Sequence, residues 1–306
     1  MTGRRIFILI TLCALLASCD KKEKQAEHIE TPEEEHIVIE PETEKEEILQ
    51  AAERSAGIQV SSQVQRAPSR LPAIGGRVNT REIDPTYFEN PDLNILRQMG
   101  AEQYIISFFS GEQFYKTGDY DRALTEYTAS INNNGQFIEA IISRGNTWLR
   151  KKEYQRAIDD FTRAIRLDNN RAELYNYRGF ARAERGERNL AIEDFTRAIA
   201  LNANYVDALI NRSHVYYQSG DYDRTIEDCN RIIRLEPANA FIWNRRGSAW
   251  YHKENDDNAI RDFSEAIRIR SDYAIAWRNR GNAWYNKGDL ERANADFAQA
   301  QRLGAR

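Results

Sequence analysis

The chain has 306 residues with 43 Lys+Arg and 47 Asp+Glu, a formal net charge of -4 at pH 7 and 29% charged residues. Its 41% hydrophobic content is sufficient for a core and excludes a chain that is disordered throughout. The near balance of charge argues against a dedicated nucleic-acid binder, and no apolar run reaches the roughly 18 residues of a membrane-spanning helix.

Residues 1–18 are typical of a secretory signal peptide. Two arginines precede the apolar stretch 6–16, and Leu-Ala-Ser-Cys ends at Cys19. This ending resembles a bacterial lipobox, and the resemblance implies cleavage before Cys19 and attachment of a lipid to it. Asp20 favours the periplasmic face of the inner membrane over the outer membrane. We therefore expect a lipid-anchored protein of the cell envelope.

Residues 19–91 are expected to form a largely disordered tether. The part from 20 to 53 holds 13 acidic and 4 basic side chains, and the part from 54 to 81 is basic and rich in small residues. Charge repulsion and a shortage of apolar residues favour an extended, solvated chain. Apolar residues at helical spacing then predict a lead-in helix over 92–103.

The body of the chain, 104–306, consists of six copies of one 34-residue unit. The units are 104–137, 138–171, 172–205, 206–239, 240–273 and 274–306. Positions are numbered from the first residue of each unit. Position 8 is Gly, position 20 is Ala and position 24 is aromatic in every unit except the fourth, which has Ser213, Thr225 and Cys229.

Two apolar patterns of helical period fill each unit. In three units they are separated by a Gly-Asp pair, where Gly is expected to end the first helix and Asp to cap the second. Small residues at positions 8 and 20 let the two helices approach closely. Since neither helix can bury its apolar face alone, neighbouring units must stack.

In period and residue type these units resemble the tetratricopeptide repeat. The resemblance implies an all-α fold, namely a right-handed superhelical solenoid of six helix-turn-helix repeats. It also implies that the first helices line a concave groove that binds proteins. The three tryptophans at position 11 are interpreted as packing residues, and Cys229 as a buried thiol.

Charges recur at two positions of the unit. Position 7 is Arg in units two to six, and position 23 is Asp or Glu in all six. This predicts an Arg–carboxylate ladder, because a guanidinium binds a carboxylate with two parallel hydrogen bonds. Unit one has Ser110 at position 7, so we expect Glu126 to pair with Arg144 of the next unit. Independent solvated charges are the alternative.

The sequence predicts no enzyme, no cofactor and no metal site. It contains no phosphate-binding glycine loop, no metal-ligand set at a recognised spacing and no Gly-x-Ser-x-Gly. The groove is the candidate functional surface, since Asn can donate to and accept from a peptide backbone and Tyr adds rigid contact area. Surface Asn and Tyr that bridge adjacent helices are the alternative. The residues expected to bind an extended polypeptide are Asn146, Asn176, Tyr217, Asn244, Tyr251, Arg278, Asn282 and Tyr285.

Two functional hypotheses follow from the sequence. The first is a membrane-anchored scaffold whose groove binds other envelope proteins and no nucleic acid. The second is a structural component that associates with copies of itself. The second hypothesis rests on the last unit, where Phe297, Ala300 and Leu303 would form an exposed apolar edge.

Overall fold

The computed structural model describes residues 93–98 and 100–304, and these form helices and connecting turns without a strand. Cys19, the signal peptide and the tether lie outside the described residues. Helix α1 (Leu93–Gln98) precedes six helix pairs. The pairs are α2 (Gln103–Lys116) and α3 (Tyr120–Asn133), α4 (Ile138–Arg150) and α5 (Tyr154–Leu167), α6 (Ala172–Glu184) and α7 (Arg188–Leu201), α8 (Val206–Gln218) and α9 (Tyr222–Leu235), α10 (Ala240–His252) and α11 (Asp256–Ile269), and α12 (Ala274–Asn286) and α13 (Leu290–Arg302).

The helix pairs stack into a solenoid. The two helices of a pair pack against each other, and each second helix packs against the first helix of the next pair. Successive first helices also contact one another in most of the array, whereas successive second helices in the described part do not come as close. The first helices therefore form the inner layer. The predicted all-α solenoid of six repeats is confirmed.

The turn inside a repeat depends on the Gly-Asp pair. Gly at position 15 adopts a left-handed backbone, with φ between 74° and 79° at Gly118, Gly220 and Gly288. The Asp that follows caps the second helix, because its carboxylate accepts a hydrogen bond from the backbone N–H three residues later. The three caps are Asp119, Asp221 and Asp289, at 3.1–3.2 Å. The predicted turns and caps are confirmed.

Glycine at position 8 allows the aromatic ring at position 24 to lie against the first helix. A Cβ added to Gly145 would lie 2.8 Å from the Phe161 ring, and one added to Gly247 would lie 2.7 Å from the Phe263 ring. Both rings are fully buried. Since a Cβ at these distances would clash, any side chain at position 8 would displace the ring.

Repeat four changes both of these positions. Ser213 and Cys229 are fully buried there, and Arg245 of the next repeat is fully buried as well. The Arg245 guanidinium donates to the backbone oxygen of Ile210 and to the Ser213 hydroxyl, each at 3.1 Å. Burial raises the pKa of the Cys229 thiol to about 12, so the thiol is protonated at neutral pH. The prediction of a buried thiol is confirmed.

The Arg–carboxylate ladder is present in repeats two to six. In each repeat, Nε and Nη2 of the Arg at position 7 donate to the two oxygens of the Asp at position 23. The Arg side chains are 13–19% exposed and the Asp side chains only 3–7%. The pairs, at 2.7–3.0 Å, are Arg144–Asp160, Arg178–Asp194, Arg212–Asp228, Arg246–Asp262 and Arg280–Asp296.

The predicted pairing of Glu126 with Arg144 is wrong. Asp160, in Arg144's own repeat, takes both Nε and Nη2, so the ion pair joins two helices of one repeat. The contact between repeats is made by Nη1, which donates to a hydroxyl or amide oxygen at position 25 of the preceding repeat. These acceptors, at 2.6–3.2 Å, are Thr128, Thr162, Thr196, Asn230 and Ser264.

The two ends of the array differ from its interior. At the start, Leu96 of α1 is buried against Ile105, Ile106 and Phe109 of α2. At the other end, α13 has different residues at the positions that contact the next repeat in the interior of the array. Positions 21 and 28 are Leu or Ile in repeats one to five.

In the interior these positions belong to clusters that include the next repeat: Ile131 lies in one cluster with Ala140, and Ile260 packs against a cluster that includes Ala283. In repeat six they are Asn294 and Gln301, and both are exposed. Ala300 is buried, while Phe297 and Leu303 are half-buried. The expected apolar edge is therefore exposed only in part, at Phe297 and Leu303, and polar side chains occupy the outward positions of α13.

Candidate peptide-binding surface

Six of the eight candidate residues are accessible on the inner layer of helices. They lie at positions 5, 9 and 12 of the first helices. Asn146, Tyr217, Tyr251, Arg278 and Asn282 are half-buried, and Tyr285 is 49% exposed. These side chains recur along the array at the repeat spacing. That they bind a polypeptide remains a prediction.

Asn176 and Asn244 are not accessible, and their expected contact with a ligand is wrong for this structure. Both side chains are fully buried. Asn211 donates to the Asn176 side-chain oxygen at 3.0 Å, and Asn279 donates to that of Asn244 at 3.1 Å. Since successive first helices lie close together, position 5 faces position 6 of the next repeat, and these amides join repeats.

Tyr217 also takes part in a junction between repeats. Its hydroxyl lies 3.1 Å from Nε2 of His252, and the His252 ring stacks on Tyr222 with 4.9 Å between centroids and 5° between planes. At the first junction, Nε of Arg150 similarly donates to the Tyr115 hydroxyl at 3.3 Å. Side chains of the array itself therefore occupy part of the edge of the inner layer, at the C-terminal ends of the first helices.

The opposite edge of the inner layer carries acidic side chains in repeats two to four. Position 2 is Glu139, which is exposed, and Glu173 and Asp207, which are half-buried. Arg171 binds Glu173 at 2.7 Å and lies 3.7 Å from Glu139. Two carboxylates, from repeats two and three, therefore lie beside one guanidinium at this edge.

Sequence reasoning missed two residues that connect repeats beneath this surface. Glu112 accepts hydrogen bonds from the hydroxyls of Tyr127 and Ser143, both at 2.7 Å, and so joins repeats one and two where the ladder has no Arg. Burial of the Tyr127 ring, and next the nearby Glu112 carboxylate, raise the pKa of Tyr127. Arg245 is the second. The signal in the sequence was a charged residue at a position where the other repeats have neutral ones.

The described residues contain no group of three His, Cys, Asp or Glu side chains that could hold a metal ion. Nor is any helix in the described part both long and apolar enough to cross a membrane.

Comparison with known families identifies the fold. The profile described as Tetratricopeptide repeat matches residues 110–172, 178–240, 214–274 and 257–306, which together are more than half of the chain. The chain belongs to the tetratricopeptide repeat family. A comparison with curated proteins gives no significant match.

Solved structures support the same fold. The crystal structure of MamA protein is 28% identical, with a TM-score of 0.53, 56% of this chain and 94% of that chain covered. YrrB, described as a TPR protein with an unusual peptide-binding site, is 21% identical, with a TM-score of 0.52, 60% and 94% covered. A tetratricopeptide repeat protein from Parabacteroides merdae is 19% identical, with a TM-score of 0.52, 72% and 90% covered. This tetratricopeptide repeat chain is accordingly a scaffold for protein–protein interaction.

Asn176 is fully buried and Asn146 half-buried, so their replacement should affect the stability of this tetratricopeptide repeat array differently. Asn176→Ala should lower the free energy of unfolding by about 1–3 kcal/mol, because it leaves the buried amide of Asn211 without its acceptor. Asn146→Ala, at a half-buried position, should change it by less than about 0.5 kcal/mol. Denaturant unfolding of both variants measures the difference, and equal losses would contradict this assignment of roles.

Proposed function

We propose that the chain is a lipoprotein of the bacterial envelope, anchored through Cys19, whose repeats bind an extended segment of another envelope protein. The tether would separate the array from the membrane surface. The inner layer of first helices would hold the segment. The protein would act by binding and positioning its partner and would catalyse no reaction.

The observation that carries the binding mode is the accessible row of Asn and Tyr side chains on the inner layer. Asn146 and Asn282 can each donate to a main-chain carbonyl and accept from a main-chain N–H. Tyr251 and Tyr285 supply flat contact area with few rotatable bonds. Such groups recognise a main chain whatever its sequence. The description of YrrB, which names a peptide-binding site, supports this mode for the fold.

The ends of the array are less suited to binding than the inner layer. A second copy that stacked in repeat register onto α13 would place its apolar side chains against Asn294 and Gln301. Burial of two amides without partners is costly. Ala298 also replaces the hydroxyl or amide that receives Nη1 of the ladder arginine in the interior. We therefore favour the inner layer over self-association through the last repeat.

Site-specific photo-crosslinking tests the binding mode. A photoreactive amino acid would replace Asn146 or Asn282 on the inner layer, and Glu193 or Glu227 on exposed faces of second helices would serve as matched controls. We expect one envelope protein to be crosslinked from both inner positions and from neither control. Crosslinking from the second helices alone would contradict the proposal.

Metabolic labelling tests the anchor. Cells that express the chain would be grown with a palmitate analogue, and the purified protein would be examined for the label. We expect the natural chain to carry the label and a Cys19→Ala variant to lack it and to leave the membrane fraction. Equal labelling of the variant would show that Cys19 is not the lipid attachment site.

A further inference from the structure

Four of the five junctions between the repeats contain a recurring socket at the edge of the inner layer. Positions 12, 17 and 18 of one repeat receive the side chains at positions 13 and 14 of the next. At the first junction, Tyr115 accepts from Arg150, and Asp121 binds Lys151 at 2.7 Å. At the fourth, Tyr217 and Tyr222 contact His252, and Asp223 binds Lys253.

Two other junctions use the same positions with other residues. Tyr154 donates to Glu184 at 3.1 Å in the second junction. In the fifth, Asn286 donates to Asp256 at 3.4 Å and Lys287 binds Asp257. The occupant, meaning the side chains at positions 13 and 14 of the next repeat, thus differs with the residues that form the socket. Where the socket has two tyrosines and a carboxylate, the occupant is a planar nitrogen-containing side chain followed by lysine.

Repeat six has the same socket positions, and there they are exposed. They are Tyr285 at position 12, Leu290 at position 17 and Glu291 at position 18. Tyr285 is 49% and Leu290 55% exposed, the two largest values among the exposed large hydrophobic residues of the described part. Glu291 is exposed as well. Tyr and a carboxylate are present as in repeats one and four, with an aliphatic side chain in place of the second ring.

A further repeat does not suit this socket, because the adjoining face of α13 is polar at Asn294 and Gln301. The socket beside the inner layer, in contrast, has a tyrosine and a carboxylate as the sockets of repeats one and four do. The occupant must therefore be a narrow segment, such as an extended polypeptide that leaves the inner layer at repeat six.

We propose that the socket of repeat six binds an arginine followed by a lysine in the partner polypeptide. This inference rests on the proposed function and identifies a sequence element of the partner. The guanidinium would donate to the Tyr285 hydroxyl as Arg150 does to Tyr115, its aliphatic stem would cover Leu290, and the lysine would pair with Glu291. Because exposed ion pairs are weak, the socket adds selectivity to binding along the inner layer.

A peptide titration of the full chain tests the socket. The probe is the hexapeptide acetyl-Gly-Ser-Arg-Lys-Ser-Gly-amide, and the matched control has Gln-Gln in place of Arg-Lys. With tyrosine rings isotopically labelled, we expect the probe to shift the NMR signals of Tyr285 and the control peptide not to do so. Equal shifts from both peptides, or no shift from the probe, would overturn the proposal.

Charge reversal provides the second arm. Glu291→Lys should weaken probe binding at least about threefold, as expected for loss of an exposed ion pair and its replacement by repulsion. Glu227→Lys makes the same charge change on an exposed face of α9 and should leave binding unchanged. Equal weakening by both variants would show that the probe responds to net charge rather than to the socket.

The two proposals fail separately. If crosslinking from Asn146 and Asn282 succeeds while the probe does not bind, the inner layer binds a partner and the socket does not bind an arginine followed by a lysine. If the probe binds at Tyr285 while no partner crosslinks from the inner positions, the proposed binding mode falls and the socket remains as an isolated site.

Discussion

The guanidinium at position 7 joins three helices through one side chain, and the geometry of the array depends on it. Arg178 binds both oxygens of Asp194 in its own repeat and donates to Thr162 in the preceding one. Asp194 is nearly fully buried and also accepts a hydrogen bond from Nη1 of Arg182, so loss of Arg178 would remove one of the two guanidinium groups that offset the burial of its carboxylate. The same three contacts recur in five repeats, so they set both the angle within a repeat and its register on the previous one.

This close register determines which polar groups remain for a partner. First helices that lie close together bury positions 5 and 6 against each other, which is why Asn176 and Asn244 bind amides of the next repeat. Positions 9 and 12 stay accessible on the same helices. The proposed binding surfaces, on the inner layer and at the edge of repeat six, are therefore what remains after the array has satisfied its own polar groups.

Much of this could be predicted from the sequence, because the period repeats every local requirement. Gly145 with Phe161, the Gly-Asp turns and the Arg and Asp positions each reflect a contact within one repeat or an adjacent pair. Contacts that depend on the distance between helices could not be predicted. Glu126 was matched to Arg144 by position in the unit alone, while the structure puts Asp160 within reach. The polar end of the array, with Asn294 and Gln301, was visible in the alignment of units but needed the packing of Ile131 and Ile260 to be interpreted.

A pair of double-mutant cycles tests most directly whether the ladder joins repeats as well as helices. One cycle combines Arg178→Ala with Asp194→Ala, and the other combines Arg178→Ala with Thr162→Ala, each followed by the free energy of unfolding of the full chain. The account predicts a coupling of about 1.5–3 kcal/mol for the ion pair and about 0.5–1.5 kcal/mol for the hydrogen bond to Thr162. Coupling near zero in the cycle with Thr162 would contradict the link between repeats, and coupling near zero in the cycle with Asp194 would contradict the link between helices.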